Sequence, residues 1–203
     1  MKFDYTDNYE LINKYNEFIK GEIIFNNNLY HIINKKINNI ILAGGCFWCS
    51  ALPFYQKKNI INVICGYTGG KMHMPKYEDV KKKITGHKEA MLIYYDISDI
   101  SFDEIISTYL NSIDPFDDGG QFMDRGSNYT LGAYFNDEEE INKFKNILKE
   151  KEEIWQKKAM IDISYQNIFY KAEEEHQEFY KKNPKRMELE FKEREKYKKS
   201  YDI

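Results

Sequence analysis

The run Ile40-Ile41-Leu42-Ala43-Gly44-Gly45-Cys46-Phe47-Trp48-Cys49 decides how the rest of the chain is read. Four successive apolar residues suit a buried strand. Two glycines then permit a sharp turn, and Cys46 follows where a helix would start. Amides at a helix start, together with the helix dipole, stabilise a thiolate. An ordinary thiol with pKa about 8.5 is only a few per cent ionised at pH 7, so each unit of depression raises the reactive fraction nearly tenfold. The plainer reading is a small buried hydrophobe, common for free cysteine. By composition alone Phe47 and Trp48 are core residues.

Outward from this turn, apolar periodicity predicts strand 38–44, a helix near 46–58, strand 60–67, a Gly-rich loop and strand 88–96. Helix 102–113, a long loop, strand 129–135 and helix 137–157 follow. Ser101-Phe102-Asp103-Glu104 reads as a capping box, and Asn136 with Glu139 resembles another. Before the core, residues 7–20 have helical spacing, and 23–25 with 29–33 flank Asn26-Asn27-Asn28 as in a hairpin. The loop at 114–128 is long for a compact domain, which points to function. The last twenty residues alternate charged and aromatic side chains and read as a solvated helix or a tail. The pattern predicts an α+β domain of two layers, with helices packed on an antiparallel or mixed sheet.

At 203 residues the chain suits one core with appendages. Thirty Lys plus Arg against 33 Asp plus Glu give a net charge of -3, which offers no field for nucleic acid or an anionic membrane. The start shows no secretory signal, and the apolar stretch around the cysteine turn is too short and too interrupted to span a bilayer, so cytoplasm is the expectation. Three cysteines suit a reducing compartment and redox or catalytic thiols. With four histidines and no second CxxC pair, zinc is not expected.

Gly-Cys-Phe-Trp at 45–48 is followed by Gly66-Tyr67-Thr68-Gly69-Gly70, Pro75-Lys76-Tyr77, Thr85-Gly86-His87-Lys88-Glu89 and Asp124-Arg125-Gly126-Ser127-Asn128-Tyr129. In that order these motifs resemble the A-type peptide methionine sulfoxide reductases. Ala172-Glu173-Glu174-Glu175-His176-Gln177 and Phe179-Tyr180-Lys181-Lys182-Asn183-Pro184 extend the likeness. The resemblance implies a ferredoxin-like core over 37–184, a helix-plus-hairpin extension at 1–36 and a charged tail at 185–203.

It further implies thiol-dependent reduction of methionine S-sulfoxide, free or in proteins, by a monomer. Cys46 is then the nucleophile that passes through a sulfenic acid, and Phe47 and Trp48 receive the substrate methyl group. Glu89 supplies the proton to the sulfoxide oxygen, Tyr77 and Tyr129 hydrogen-bond it, and Asp124 orders the pocket. For Glu89 to be half protonated at pH 7, its pKa must rise by about 2.7 units, within what burial beside aromatic rings supplies. No bound cofactor is implied. The reductant is an external thiol: thioredoxin, glutaredoxin, or dithiothreitol in vitro.

Residues 66–203 contain no cysteine, so Cys49 and Cys65 stand as alternative resolving thiols, with direct attack by an external thiol as a third route. The chain also departs from many relatives at Ser50, at Asp114-Pro115 and at Thr130. Two rival readings stand beside this one: a thiol–disulfide oxidoreductase using Cys46 and Cys49, and a non-catalytic binder of oxidised methionine.

Overall fold

The structure, a computed structural model, describes residues 23–24 and 37–201. The helix expected at 7–20 and the second hairpin strand at 29–33 lie outside the described residues. Of the first hairpin strand, Ile23–Ile24 is present as β1. The core begins with β2 (Ile37–Ala43), followed by two short helices, α1 (Phe47–Ser50) and α2 (Leu52–Tyr55), and by β3 (Ile60–Thr68). Next come α3 (Tyr77–Lys81), β4 (Lys88–Asp96), α4 (Phe102–Ser112) and the small hairpin β5 (Gly120–Gln121) and β6 (Asp124–Arg125). The chain then forms β7 (Gly132–Phe135), α5 (Glu138–Trp155), β8 (Asp162–Tyr165), β9 (Phe169–Lys171), α6 (Phe179–Lys182) and α7 (Pro184–Tyr201).

Among the described residues seven strands form one sheet in the order β1-β9-β3-β4-β2-β7-β8. All neighbours run antiparallel except β7 and β8, which are parallel. Strand alternation divides the side chains cleanly between two buried faces. Ile40, Leu42, Val63, Cys65, Met91 and Ile93 pack with Phe47 and Phe54 from α1 and α2, and with residues of α4 and α5. Ile41, Ala43, Ile64, Ala90 and Leu92 belong to the opposite face. Burial on both faces explains why these strands read as nearly continuous apolar runs. The period of two also places Glu89 on the helix-covered face, in line with Met91 and Ile93, where it enters the protein beside α1.

The helix expected over 46–58 is divided at Ala51, because Pro53 has no N–H to continue the ladder. The predicted cap at Asn136 falls one residue later: Asp137 accepts from the Glu140 amide at 2.9 Å. The expected strand at 129–135 starts at Gly132, since Ser127–Tyr129 form a 3-10 turn closed by the Tyr129 amide on the Gly126 carbonyl. From Pro184 the chain is helical and buries Met187 and Arg194 against the protein, so this segment is part of the packed structure. Among the described residues no helix is long and apolar enough to cross a membrane.

Candidate active site

The turn that opens the site is built for closeness. Gly45 has φ +81°, and a Cβ there would stand 2.5 Å from the Cβ of Gln121, so only glycine fits. Gln121 in turn pins the long loop: its amide oxygen accepts from the Asp114 N–H at 2.8 Å, and its Nε2 donates to the Asp114 and Gly120 carbonyls. The loop is thereby clamped onto the cysteine turn, carrying Asp124 and Tyr129 with it. On the other side the Tyr109 hydroxyl donates to the Ala43 carbonyl at 2.8 Å and fixes the end of β2.

Cys46 is the N-cap of α1, and its carbonyl accepts from the amides of Cys49 and Ser50 and from the Ser50 hydroxyl. The first free amide of the helix, that of Phe47, donates to Glu89 Oε2 at 3.1 Å. The expected use of that amide, stabilising a Cys46 thiolate, is therefore not what the structure has. Instead the Cys46 thiol is hydrogen-bonded to Cys49, buried, and faced by the carboxyls of Glu89 and Asp124, which together raise its pKa. The hydrogen bond from Cys46 holds the Cys49 pKa below the ordinary thiol value against the effect of burial, and Arg194 adds to the lowering. Of the two sulfurs, Cys49 is the one the surroundings prepare to carry charge.

Glu89 is only 2% exposed. Burial pushes its pKa up to about 8, partly opposed by the Phe47 amide. At pH 7 such a carboxyl is about nine-tenths protonated. With one oxygen bound to the Phe47 amide, the other can hold the proton.

The rings around this acid form a box. Trp48 stacks on Phe179 with centroids 3.9 Å apart and planes 7° from parallel, and it donates from Nε1 to His176 Nδ1 at 3.3 Å. Accepting at Nδ1 puts the proton of neutral His176 on Nε2, 3.8 Å from a Glu173 oxygen. Tyr77 lies 4.4 Å from the His176 ring and 6.3 Å from Trp48, centroid to centroid. Burial and the nearby Glu89 raise the pKa of Tyr77 to about 12 and that of Tyr129 still further, so both stay hydroxyl donors. Phe47, 1% exposed, points into the core against Tyr67 and His176 and makes the floor, whereas half-buried Trp48 makes the outward wall.

The structure thus gathers Cys46, Phe47, Trp48, Tyr77, Glu89, Asp124 and Tyr129 into one place. Asp124 does so as the partner of Arg194, at 3.3 Å. Cys49 is beside Cys46 in a small cluster with Met187. Cys65 is on β3, 1% exposed, with its amide and carbonyl bound to the Gln177 side chain and its sulfur donating to the Phe47 carbonyl at 3.7 Å. Burial raises its pKa to about 12.

Three contributors had no signal that sequence patterns alone could read as roles. Glu173 accepts from the Tyr67 hydroxyl and the Tyr77 amide, both at 2.9 Å, and so positions Tyr77. His176 and Arg194 reach the site from segments more than a hundred residues past Cys46. The Ala-Glu-Glu-Glu-His-Gln stretch was the only visible hint of the first two.

Comparison with known proteins identifies the family. The family model for peptide methionine sulfoxide reductase matches residues 38–202. Peptide methionine sulfoxide reductase MsrA 1 of Lactococcus lactis is 43% identical over 77% of this chain and 87% of its own length. MsrA of Ligilactobacillus salivarius is 44% identical over 74% of this chain and 88% of its own. In structure the chain is similar to reduced Mxr1 of Saccharomyces cerevisiae, with TM-score 0.70 and 27% identity over 74% of this chain and 88% of that one. Methionine sulfoxide reductase A of Corynebacterium diphtheriae shares the mixed α/β fold, with TM-score 0.68 and 24% identity over 73% of this chain and 76% of that one. On the match across nearly all of the described core and the identity to these relatives, the chain belongs to the peptide methionine sulfoxide reductase family.

Proposed function

We propose that Cys46 is the nucleophile of this methionine sulfoxide reductase and that Glu89 is its proton donor. The chain is an oxidoreductase that reduces methionine sulfoxide. The observation that carries the residue roles is the Phe47 amide holding a buried, largely neutral Glu89 beside Cys46. A sulfoxide needs a donor for its oxygen and an apolar wall for its methyl group. Glu89, Tyr77 and Tyr129 make the first, and Trp48 over the Phe47 floor makes the second.

In the reaction Cys46 sulfur attacks the sulfoxide sulfur as its proton passes along the hydrogen bond to Cys49, while Glu89 protonates the departing oxygen. The hydroxyl so formed shifts from the methionine sulfur to the Cys46 sulfur as the bond between the two sulfurs breaks, which releases methionine and leaves Cys46 as a sulfenic acid. Cys49 then condenses with it, releasing water and forming a Cys46–Cys49 disulfide. The Cys46–Cys49 hydrogen bond supports Cys49 as resolver, and the Gln177 and Phe47 contacts that hold Cys65 inward speak against Cys65. An external thiol, thioredoxin or glutaredoxin in the cell and dithiothreitol in vitro, completes the cycle. The substrate is the S epimer: each epimer has its own enzyme, and the resemblance to the A-type enzymes implies this one. The strand order β3-β4-β2-β7, with helices between β2 and β3 and between β4 and β7, supports a ferredoxin-like core. That core spans 37–184, with residues 1–36 as an extension.

The test uses excess N-acetylmethionine S- and R-sulfoxides without added thiol. About one equivalent of the S epimer should be reduced, with a Cys46–Cys49 disulfide in the peptide map, and Cys46→Ser should reduce none. Turnover by Cys46→Ser, or consumption of the R epimer alone, would sink the assignment.

A further inference from the structure

Cys49 faces more than Cys46. It lines a cavity of about 470 Å³ between α2, α4 and α7, and none of Trp48, Tyr77, Glu89 or Tyr129 borders it. The cavity is therefore separate from the box that receives the sulfoxide. Its volume suits a small molecule. Its wall is cationic: Lys57, Arg194 and Lys198 against Glu195 alone. Lys57 is paired with Glu104 at 3.0 Å, and Arg194 with Asp124. Lys198 makes no ion pair among the described residues; its ammonium stands 5.4 Å from the centre of the Phe122 ring, on which the Arg194 guanidinium also rests at 4.8 Å. Phe122 holds that ring from a backbone at φ +53°, a costly conformation for a bulky residue and one found where surroundings over-determine it.

We propose that this cavity binds a low-molecular-weight thiol bearing a carboxylate, which enters apart from the substrate and reduces the enzyme by attacking Cys49, its carboxylate on Lys198. The inference rests on the Cys46–Cys49 disulfide proposed above. The thiolate sulfur bonds to Cys49 sulfur, the Cys46–Cys49 bond breaks, and Cys46 leaves with the electron pair and takes a proton. A second molecule of the same thiol attacks the small-molecule sulfur of the mixed disulfide. That step releases Cys49 and a symmetrical disulfide, so two thiols supply the two electrons and two protons that the cysteines gain.

The experiment compares reduction of the oxidised enzyme by 3-mercaptopropionate and by neutral 2-mercaptoethanol, with rates expressed per thiolate. The wild-type ratio should favour the anionic thiol. Lys198→Glu should lower that ratio roughly tenfold, and Lys198→Gln by less, as expected for one charge contact reversed or removed. Because the readout is a ratio within one protein, partial loss of folded enzyme does not move it. Mass spectrometry of the acid-quenched reaction should find the adduct on Cys49. An unchanged ratio in Lys198→Glu, or an adduct on Cys46, overturns the inference. If no Cys46–Cys49 disulfide is found beforehand, the underlying reading falls and this site with it; a disulfide with an unmoved ratio removes only the site.

Discussion

Cys49 and Cys65 are almost equally buried, at 2% and 1% exposure, yet their surroundings are opposite. Cys49 shares a hydrogen bond with Cys46 and the field of Arg194, which hold its pKa down. Cys65 sits in the main core under Phe47, fastened by Gln177 and beside the Tyr55 hydroxyl, with its pKa pushed up to about 12. The contrast teaches that equal burial can leave two thiols with opposite readiness to ionise. The charges and donors that share the buried space set that readiness.

The largest effect should come from the buried acid beside Cys46, which serves the step before either of these thiols can act as resolver. Glu89→Gln should slow single-turnover reduction about a thousandfold. Burial raises Glu89, so its neutral form persists up to about pH 8 and the donor is lost above it. The wild-type single-turnover rate should therefore fall above pH 8, and the variant should lack that limb. Stopped-flow quenching across pH 6 to 10 reads both, and a full wild-type descent in Glu89→Gln would assign the acid elsewhere. The contrast between the two cysteines belongs to the later step and should survive this change.

A smaller loss is expected for Cys49→Ser, which should still complete a first turnover, slowed by loss of the acceptor for the Cys46 proton, but lose roughly a hundredfold in thiol-supported cycling, because the intramolecular resolver is gone. Undiminished cycling in this variant would erase the distinction drawn here. The smallest effect belongs to Cys65→Ala. Its cycling should stay within about twofold of wild type, while stability falls by about 1–2 kcal/mol from the vacated volume and lost thiol contacts. Thermal melts beside steady-state rates measure the two together, and a collapse of cycling with unchanged melting would exchange the roles of Cys49 and Cys65.

What could be read in the chain follows the reach of each interaction. Strand β4 and helix α4 carry their own signals, a two-residue alternation and a capping serine, and the Ser101 hydroxyl does accept from the Glu104 amide. Strand β9 is three residues long and exists only because it pairs with β3 and β1, so no local pattern marks it. The motifs named Cys46, Glu89, Tyr77, Tyr129 and Asp124 as candidates for one site, and the structure draws them together. The sequence predicts a Cys46 thiolate on a helix amide, and the structure differs for a physical reason: the turn supplies that amide, but a glutamate 42 residues later occupies it. Arg194 was invisible because α7 has weak amphipathic character, and a charged side chain in a charged run gives no sign of being buried against Asp124.

The tether between residue 47 and Glu89 runs through the main chain, and this separates two properties that active sites often couple. Every amino acid except proline presents the same N–H at that position. The aromatic floor can therefore be enlarged, reduced or reshaped by mutation while the acid keeps its anchor. If the floor receives the substrate methyl group as proposed, acceptance of bulkier or smaller sulfoxides is a trait this scaffold can drift in, or be steered in, without rebuilding the proposed proton supply.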